Sequence, residues 1–415
     1  MRTAVLSLLA CAGVFAADTC VECHAVLEGP LQKPALLYPT QDVHARHNFS
    51  CADCHGGNRN EMDPAAAMSR AKGFKRGLGR KGIAALCASC HSDAGLIHKF
   101  APQQRVDQYA QYQTSTHAKR LAAGDESAAT CTDCHSVHDI RAVKDGNSPV
   151  HPLKLPETCA RCHSDAKLMG RRGVGHNQLA EYRSSVHWEA LAKRGDLSAP
   201  GCASCHGNHG ATPPAVSSVA AVCGTCHVMY EDLYSKSPHQ PVFSALGTGG
   251  CTVCHGNHAI AHPSSSMLAG ADAVCAKCHD AGSKGGAEAA RMAGVIGKLS
   301  AALERADGVL EQASRAGMEV SEAQLKHLEG REALLKARVA VHAFRAAAVE
   351  TAAGAGMTVA AETLRAGEEA LKERDRRRVG LALSLITILV TMAGLRAAIR
   401  ARDARSRTAP DAAGR

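Results

Sequence analysis

The pentapeptide C-x-x-C-H occurs nine times in this chain, opening at Cys20, Cys51, Cys87, Cys131, Cys159, Cys202, Cys223, Cys251 and Cys275. It is the covalent attachment motif of c-type haem, and no other feature restricts the fold so tightly. Two thiols three residues apart can add to the two vinyl groups of one porphyrin. The histidine that follows is then placed to bind the iron from one face. The second cysteines are Cys23, Cys54, Cys90, Cys134, Cys162, Cys205, Cys226, Cys254 and Cys278. The proximal histidines are His24, His55, His91, His135, His163, His206, His227, His255 and His279. Only Cys11 of the nineteen cysteines is left over.

Other readings of paired cysteines meet the same regularity. A redox dithiol or half of a zinc site does not require histidine after the second cysteine every time. A disulfide framework would not repeat one box without exception. Composition agrees with a core made of cofactor: six Phe, six Tyr and one Trp could hardly fill an ordinary interior in a chain of 415 residues. The formal charge of +9 suggests a basic protein. Two propionates on each haem would outweigh it, so part of the Lys and Arg is expected to pair with propionates, and nucleic acid is not an expected partner.

Residues 1–16 read as a signal peptide, with Arg2 as the basic region, an apolar run over Ala4 to Phe15 and small residues before Ala17. A short buried helix is the alternative. Leu8-Leu9-Ala10-Cys11 resembles a lipoprotein box, but the apolar run before it is short. Export suits the chemistry, because haem c is attached outside the bacterial cytoplasm, where free cysteines otherwise tend to oxidise.

The boxes form an internal repeat. Tyr112, Ser115 and His117 stand in a Y-x-x-S-x-H pattern that recurs at Tyr182, Ser185 and His187, and at Tyr234, Ser237 and His239. Each copy continues with an extended box, C-x-x-C-H-x-x-H, ending at His138, His209 and His258, and then with a second box. A looser copy runs from His44 or His47 through the boxes at Cys51 and Cys87, and the box at Cys20 is solitary.

The second axial ligand decides whether an iron only carries electrons or can also bind substrate. The distal candidates are His117, His187 and His239 from the serine motif and His138, His209 and His258 from the extended boxes, followed by His44, His47, His98 and His151. The offset in the extended boxes is too short for both histidines to bind one iron, so the second should serve a neighbouring haem. His176 and His262 are weaker candidates. Met169, Met229 and Met267 recur at no common offset.

With these boxes and S-x-H motifs, residues 20 to 279 resemble the multihaem cytochromes c of anaerobic respiratory chains, a superfamily that includes small multihaem electron carriers, octahaem tetrathionate reductase and hydroxylamine oxidoreductase. The resemblance implies a mainly α fold with extensive loops, in which short helices wrap closely stacked, mostly bis-histidine haems. Pentahaem nitrite reductases of this kin carry a box ending in lysine, and no C-x-x-C-K occurs here.

The haem domain is expected over 17–280. After it the chain is rich in Ala, Glu, Arg and Leu and has no cysteine. Met292, Ile296, Leu299, Leu303 and Leu310 mark one helical face, and Leu325, Leu328, Leu335, Val339 and Val341 loosely mark another. Gly317 and the Gly354-Ala-Gly356 segment are expected to divide two long helices and begin a third, giving a helical hairpin or stalk over 281–373. His342 could be an axial ligand if this hairpin folds back on the haems; a plain packed histidine is the simpler reading. Val379 to Leu395 carries no charge and spans about 25 Å at ~1.5 Å per residue, near the lower limit for a bilayer. Arginines at both edges favour a transmembrane helix over 374–398 against a buried soluble helix, with a basic cytoplasmic tail over 399–415.

These expectations place nine haems c at the periplasmic side of the bacterial inner membrane, anchored by the C-terminal helix. One helix offers little room for a quinone. The expected partners are therefore a quinol-oxidising or b-type cytochrome subunit in the inner membrane and a periplasmic redox protein, with lipid around the anchor. An electron-transfer subunit is the preferred function, with no catalytic residue assigned. The alternative is a terminal reductase or oxidase of a small nitrogen or sulfur compound at one five-coordinate haem, for which the solitary Cys20 box is the best candidate.

Overall fold

The computed structural model describes residues 18–215, 219–270 and 273–407. The expected signal peptide over 1–16 and the end of the basic tail lie outside the described residues. Among the described residues the chain is helical with no strand, in many short helices followed by three long ones.

Local chemistry keeps the box helices short. The helix Cys51–His55 starts at Ser50, whose backbone N–H donates to Asp53 Oδ2 at 2.6 Å and whose hydroxyl donates to the same oxygen at 2.8 Å. Thr130 and Asp133 repeat the backbone bond at 2.7 Å ahead of Cys131–His135. These reciprocal caps satisfy N–H groups that a helix start leaves without partners. The residue after the box histidine then turns to positive φ, +71° at Gly56, +69° at Ser136, +79° at Gly207 and +71° at Gly256, so each helix ends after about one turn. The boxes at Cys87 and Cys159 instead close longer helices, Arg80–His91 and Leu155–His163.

The chain forms two compact units. One comprises the described residues up to Val222 together with Cys251–His262. The other comprises Cys223–Gly250 and the described residues from Pro263 onward, so it takes in residues on both sides of the change in composition after Asp280.

In the second unit the long helices Lys284–Arg315, Ser321–Ala340 and Ala346–Arg407 pack together. The first buries the expected stripe of Met292, Ile296, Leu299, Leu303 and Leu310. The second does not bury its expected leucines: Leu325, Leu328 and Leu335 are exposed, and the covered face is His327, Gly330, Ala333, Ala337 and Val339. Small residues win that face because the helices approach closely. A Cβ on Gly330 would stand 2.6 Å from Leu303 Cδ2.

The division between the second and third helices also differs from expectation. It falls at a 3-10 turn, Val341–Ala343, followed by Phe344 in the left-handed region at φ +53°. Gly354 and Gly356 lie within the third helix. A Cβ on Gly356 would meet Ala333 Cβ at 2.9 Å and Leu299 Cδ1 at 3.0 Å, so this glycine permits helix contact where sequence reading suggested a break. The far end of this helix contains an 18-residue window of mean hydropathy 1.9, none of it buried. Val379, Leu381, Leu383, Ile386 and Leu389 are all exposed, which makes the segment a candidate membrane anchor.

Two outcomes follow for this unit. Gly356→Leu should lower unfolding stability by about 1–3 kcal/mol through overpacking. Gly354→Ala, with open space at its Cβ, should be neutral or gain up to ~1 kcal/mol; denaturant titration compares them. His327 is buried, its Nδ1 3.4 Å from Thr363 Oγ1 and its Nε2 without a hydrogen-bond partner. Burial lowers its pKa, with Asp307 opposing the shift. The neutral imidazole therefore adds stability that is complete above about pH 6.5, the unfolded value, and is lost as pH falls toward the lower folded value. Amide exchange over Ser321–Ala340, corrected for intrinsic rates, should accelerate from pH 7 to pH 5.5. His327→Leu should flatten that dependence.

Candidate haem centres

The structure opposes histidine rings in pairs. His55 faces His138, His135 faces His209 and His206 faces His258, each with centroids 6.1 Å apart and planes within 17° of parallel. His91 faces His44 at 6.0 Å and 86°, His163 faces His117 at 6.2 Å and 66°, and His279 faces His239 at 5.9 Å and 85°. A metal–imidazole bond of about 2 Å plus about 1 Å from nitrogen to ring centre, taken on both sides, predicts about 6 Å for two histidines on one iron.

The pairs obey two rules. A box at the start of a copy is opposed by the extra histidine of the extended box in the following copy. A box at the end of a copy is opposed by the S-x-H histidine of its own copy.

Neighbouring residues build both arrangements. Ser115 and Ser185 are buried and cap the helices that carry the distal histidines, accepting from Ala118 N–H at 3.0 Å and Trp188 N–H at 3.2 Å. The motif tyrosines reach the residue two before the next box: Tyr112 Oη donates to Ala129 O and Tyr182 Oη to Pro200 O, both at 2.9 Å. In the looser copy Tyr38 Oη donates to Phe49 O at 2.8 Å. Buried Asp42 takes the serine's place there, accepting from His44 N–H at 2.9 Å and lying 2.9 Å from His44 Nδ1. Sequence reading missed Tyr38 and Asp42, because one extra residue separates this tyrosine from its histidine and the cap is a carboxylate. Consecutive copies are also joined by backbone bonds from the residue before the distal histidine: Val43 N to Ile140 O at 2.8 Å, Thr116 N to Ala211 O at 3.1 Å and Val186 N to Ile260 O at 2.9 Å.

Electrostatics suit iron ligation. Burial lowers His135 to about 4, and also lowers His91, His117, His138, His163, His209, His239 and His258, with like charge on facing histidines adding to it in several cases. Each is held as the neutral imidazole a metal requires. Asp42 is lowered by its hydrogen bonds to His44 and Ile140 against the opposing effect of burial, and it fixes the ring through Nδ1. His239 Nδ1 is buried without a hydrogen-bond partner.

The thiols fit the same group. Among the described residues no three His, Cys, Asp or Glu side chains converge as a metal cage, as a zinc site would need. The thiol of Cys87 lies beside that of Cys131 and the thiol of Cys159 beside that of Cys202, so the boxes of successive copies adjoin. Bound haem would supply a one-electron iron couple. The chain supplies two imidazoles, their orientation and the surrounding burial.

Three distal candidates are not brought to a box histidine among the described residues. His47 packs on Phe100 at 5.2 Å, His98 Nε2 lies 3.1 Å from Gln104 O, and His151 Nδ1 accepts from Leu153 N–H at 3.3 Å. His187 occupies the S-x-H position of its copy on the helix Val186–Trp188. His342 Nδ1 lies 3.1 Å from Val339 O, and its ring packs on Tyr230 at 4.9 Å. The first long helix starts close to His279, where a Cβ on Gly285 would stand 2.3 Å from His279 Nδ1.

Half-buried histidines opposed in pairs at about 6 Å, one of each pair closing a C-x-x-C-H box, are the arrangement of a multihaem c-type cytochrome, a protein of electron transfer. A family model described as cytochrome c3 matches residues 43–164 and 196–280, taking in every box except the one at Cys20. No solved structure matches the chain.

The two pair geometries should be visible in the oxidised holoprotein. Near-parallel imidazole planes split the iron d orbitals rhombically, whereas crossed planes leave them nearly degenerate. Electron paramagnetic resonance should therefore show two low-spin families, and a single family would contradict the pairing. His209→Gly should convert one near-parallel centre to high spin and leave the crossed family unchanged.

Proposed function

We propose that the chain is a nonahaem cytochrome c, held at the periplasmic face of the inner membrane by its C-terminal helix, that passes electrons between a quinol-linked membrane partner and a periplasmic acceptor. The observation that carries this reading is the repeated opposition of two histidines at about 6 Å, which gives both axial positions of an iron to the protein and leaves the paired centres no place for substrate. The junctions between copies support a continuous array, because an extended box holds its own proximal histidine and also serves the preceding copy. Exposed apolar side chains from Val379 onward, with arginines on either side, support the anchor.

One helix buries no quinone-sized pocket by itself. The membrane partner is therefore a separate quinol-oxidising or b-type cytochrome subunit. In a host competent for haem c maturation, the purified protein should contain nine haems per chain by pyridine haemochrome assay and fractionate with membranes. A variant ending at residue 373 should be soluble, keep its haem spectrum and lose quinol-dependent reduction in reconstituted membranes. Undiminished reduction of the truncated protein would contradict the proposed docking.

A further inference from the structure

The box at Cys20 is built as firmly as the others. The Asp18 carboxylate accepts the N–H groups of both Cys20 and Cys51 at 3.1 Å. Thr19 holds the loop after the next box, through its N–H to Arg59 O at 3.0 Å and its hydroxyl to Arg59 O at 2.8 Å and Glu61 O at 2.9 Å.

Its register is that of a box ending a copy. The thiol of Cys20 lies within electrostatic reach of Cys51, as Cys87 adjoins Cys131 and Cys159 adjoins Cys202. Boxes in that register at Cys87, Cys159 and Cys275 are opposed by a histidine upstream in their own copy.

Among the described residues the ring of His24 faces no other histidine or aromatic ring, in contrast to the six box histidines opposed at 5.9 to 6.2 Å. The next histidines along the chain are engaged elsewhere, His44 against His91 and His47 against Phe100. Asn58 stands where the other first boxes have their extra histidine, and its Oδ1 accepts from Asn60 N–H at 3.2 Å in a local turn. The cytochrome c3 match begins at residue 43 and leaves this box outside.

We propose that the haem carried by Cys20, Cys23 and His24 has one protein axial ligand, and that its other face is a binding site for small haem-iron ligands: carbon monoxide when ferrous, cyanide or a comparable small anion when ferric. The site rests on the haem reading above and adds to it a place where the array meets solution chemistry.

The test uses full-length holoprotein in detergent. The oxidised protein should contain a high-spin haem that turns low spin with cyanide and binds carbon monoxide when reduced. Cys20→Ala/Cys23→Ala should lose one haem and one equivalent of each of these responses while keeping both low-spin families. A wholly low-spin wild type that is inert to carbon monoxide, with porphyrin found by mass spectrometry on the Cys20–His24 peptide, overturns the open site and leaves the haem reading intact. Carbon monoxide binding that is undiminished in the double variant overturns it as well. Absence of porphyrin from that peptide overturns the haem reading of this box. The wild-type spectrum tests the open site even where the variant does not accumulate.

Discussion

Two imidazoles set face to face at the separation that an iron imposes are the constraint on which the cytochrome region depends. Burying a histidine without a partner is unfavourable, and burial here holds these rings in the neutral form. Repeating the arrangement makes metal ligation the one chemistry that explains both the burial and the spacing. So few aromatic side chains leave little else from which to build an interior. In physical terms the core is a series of ligand pairs, and the short helices exist to present them.

The surrounding residues keep that series regular. A buried serine, or Asp42 in its place, starts the helix of the distal histidine. A tyrosine hydroxyl ties that helix to the approach of the next box. One backbone bond from the residue before the histidine then joins the copy to its successor. Each bond is worth only about 1 kcal/mol net. Their value is geometric, because imidazole direction must be right on both sides of an iron before two ligands can share it. The same economy accounts for Asn58, whose side chain closes a local turn in the one extended position without histidine.

The long helices follow a different logic, in which packing distance decides residue size. Gly330 and Gly356 stand where neighbouring helices leave no room for a side chain, and Ala333 and Ala337 line the same covered face. The leucines of the second helix face outward as a result. Phe344 holds the left-handed conformation between the second and third helices, and its ring lies 3.9 Å from His239. The turn therefore places an aromatic ring against the histidine that opposes His279, a placement that helix periodicity could not reveal.

Covalent chemistry is local in sequence, so the chain by itself determined the nine C-x-x-C-H boxes with the histidine that closes each, the repeat and the charge-free C-terminal segment. Most of the histidines that oppose a box histidine were legible for a related reason: His117, His138, His209, His239 and His258 recur at fixed offsets from the boxes, and repetition separates them from incidental histidines. Which ring meets which was not legible, since opposition joins residues far apart along the chain, such as His55 and His138. Only the tertiary structure selected His44 over His47, through the Asp42 cap and the packing of His47 on Phe100. It also reversed the reading of Gly354 and Gly356 as a break, because a glycine that ends a helix and a glycine that lets two helices touch look alike until the neighbouring helix is in place.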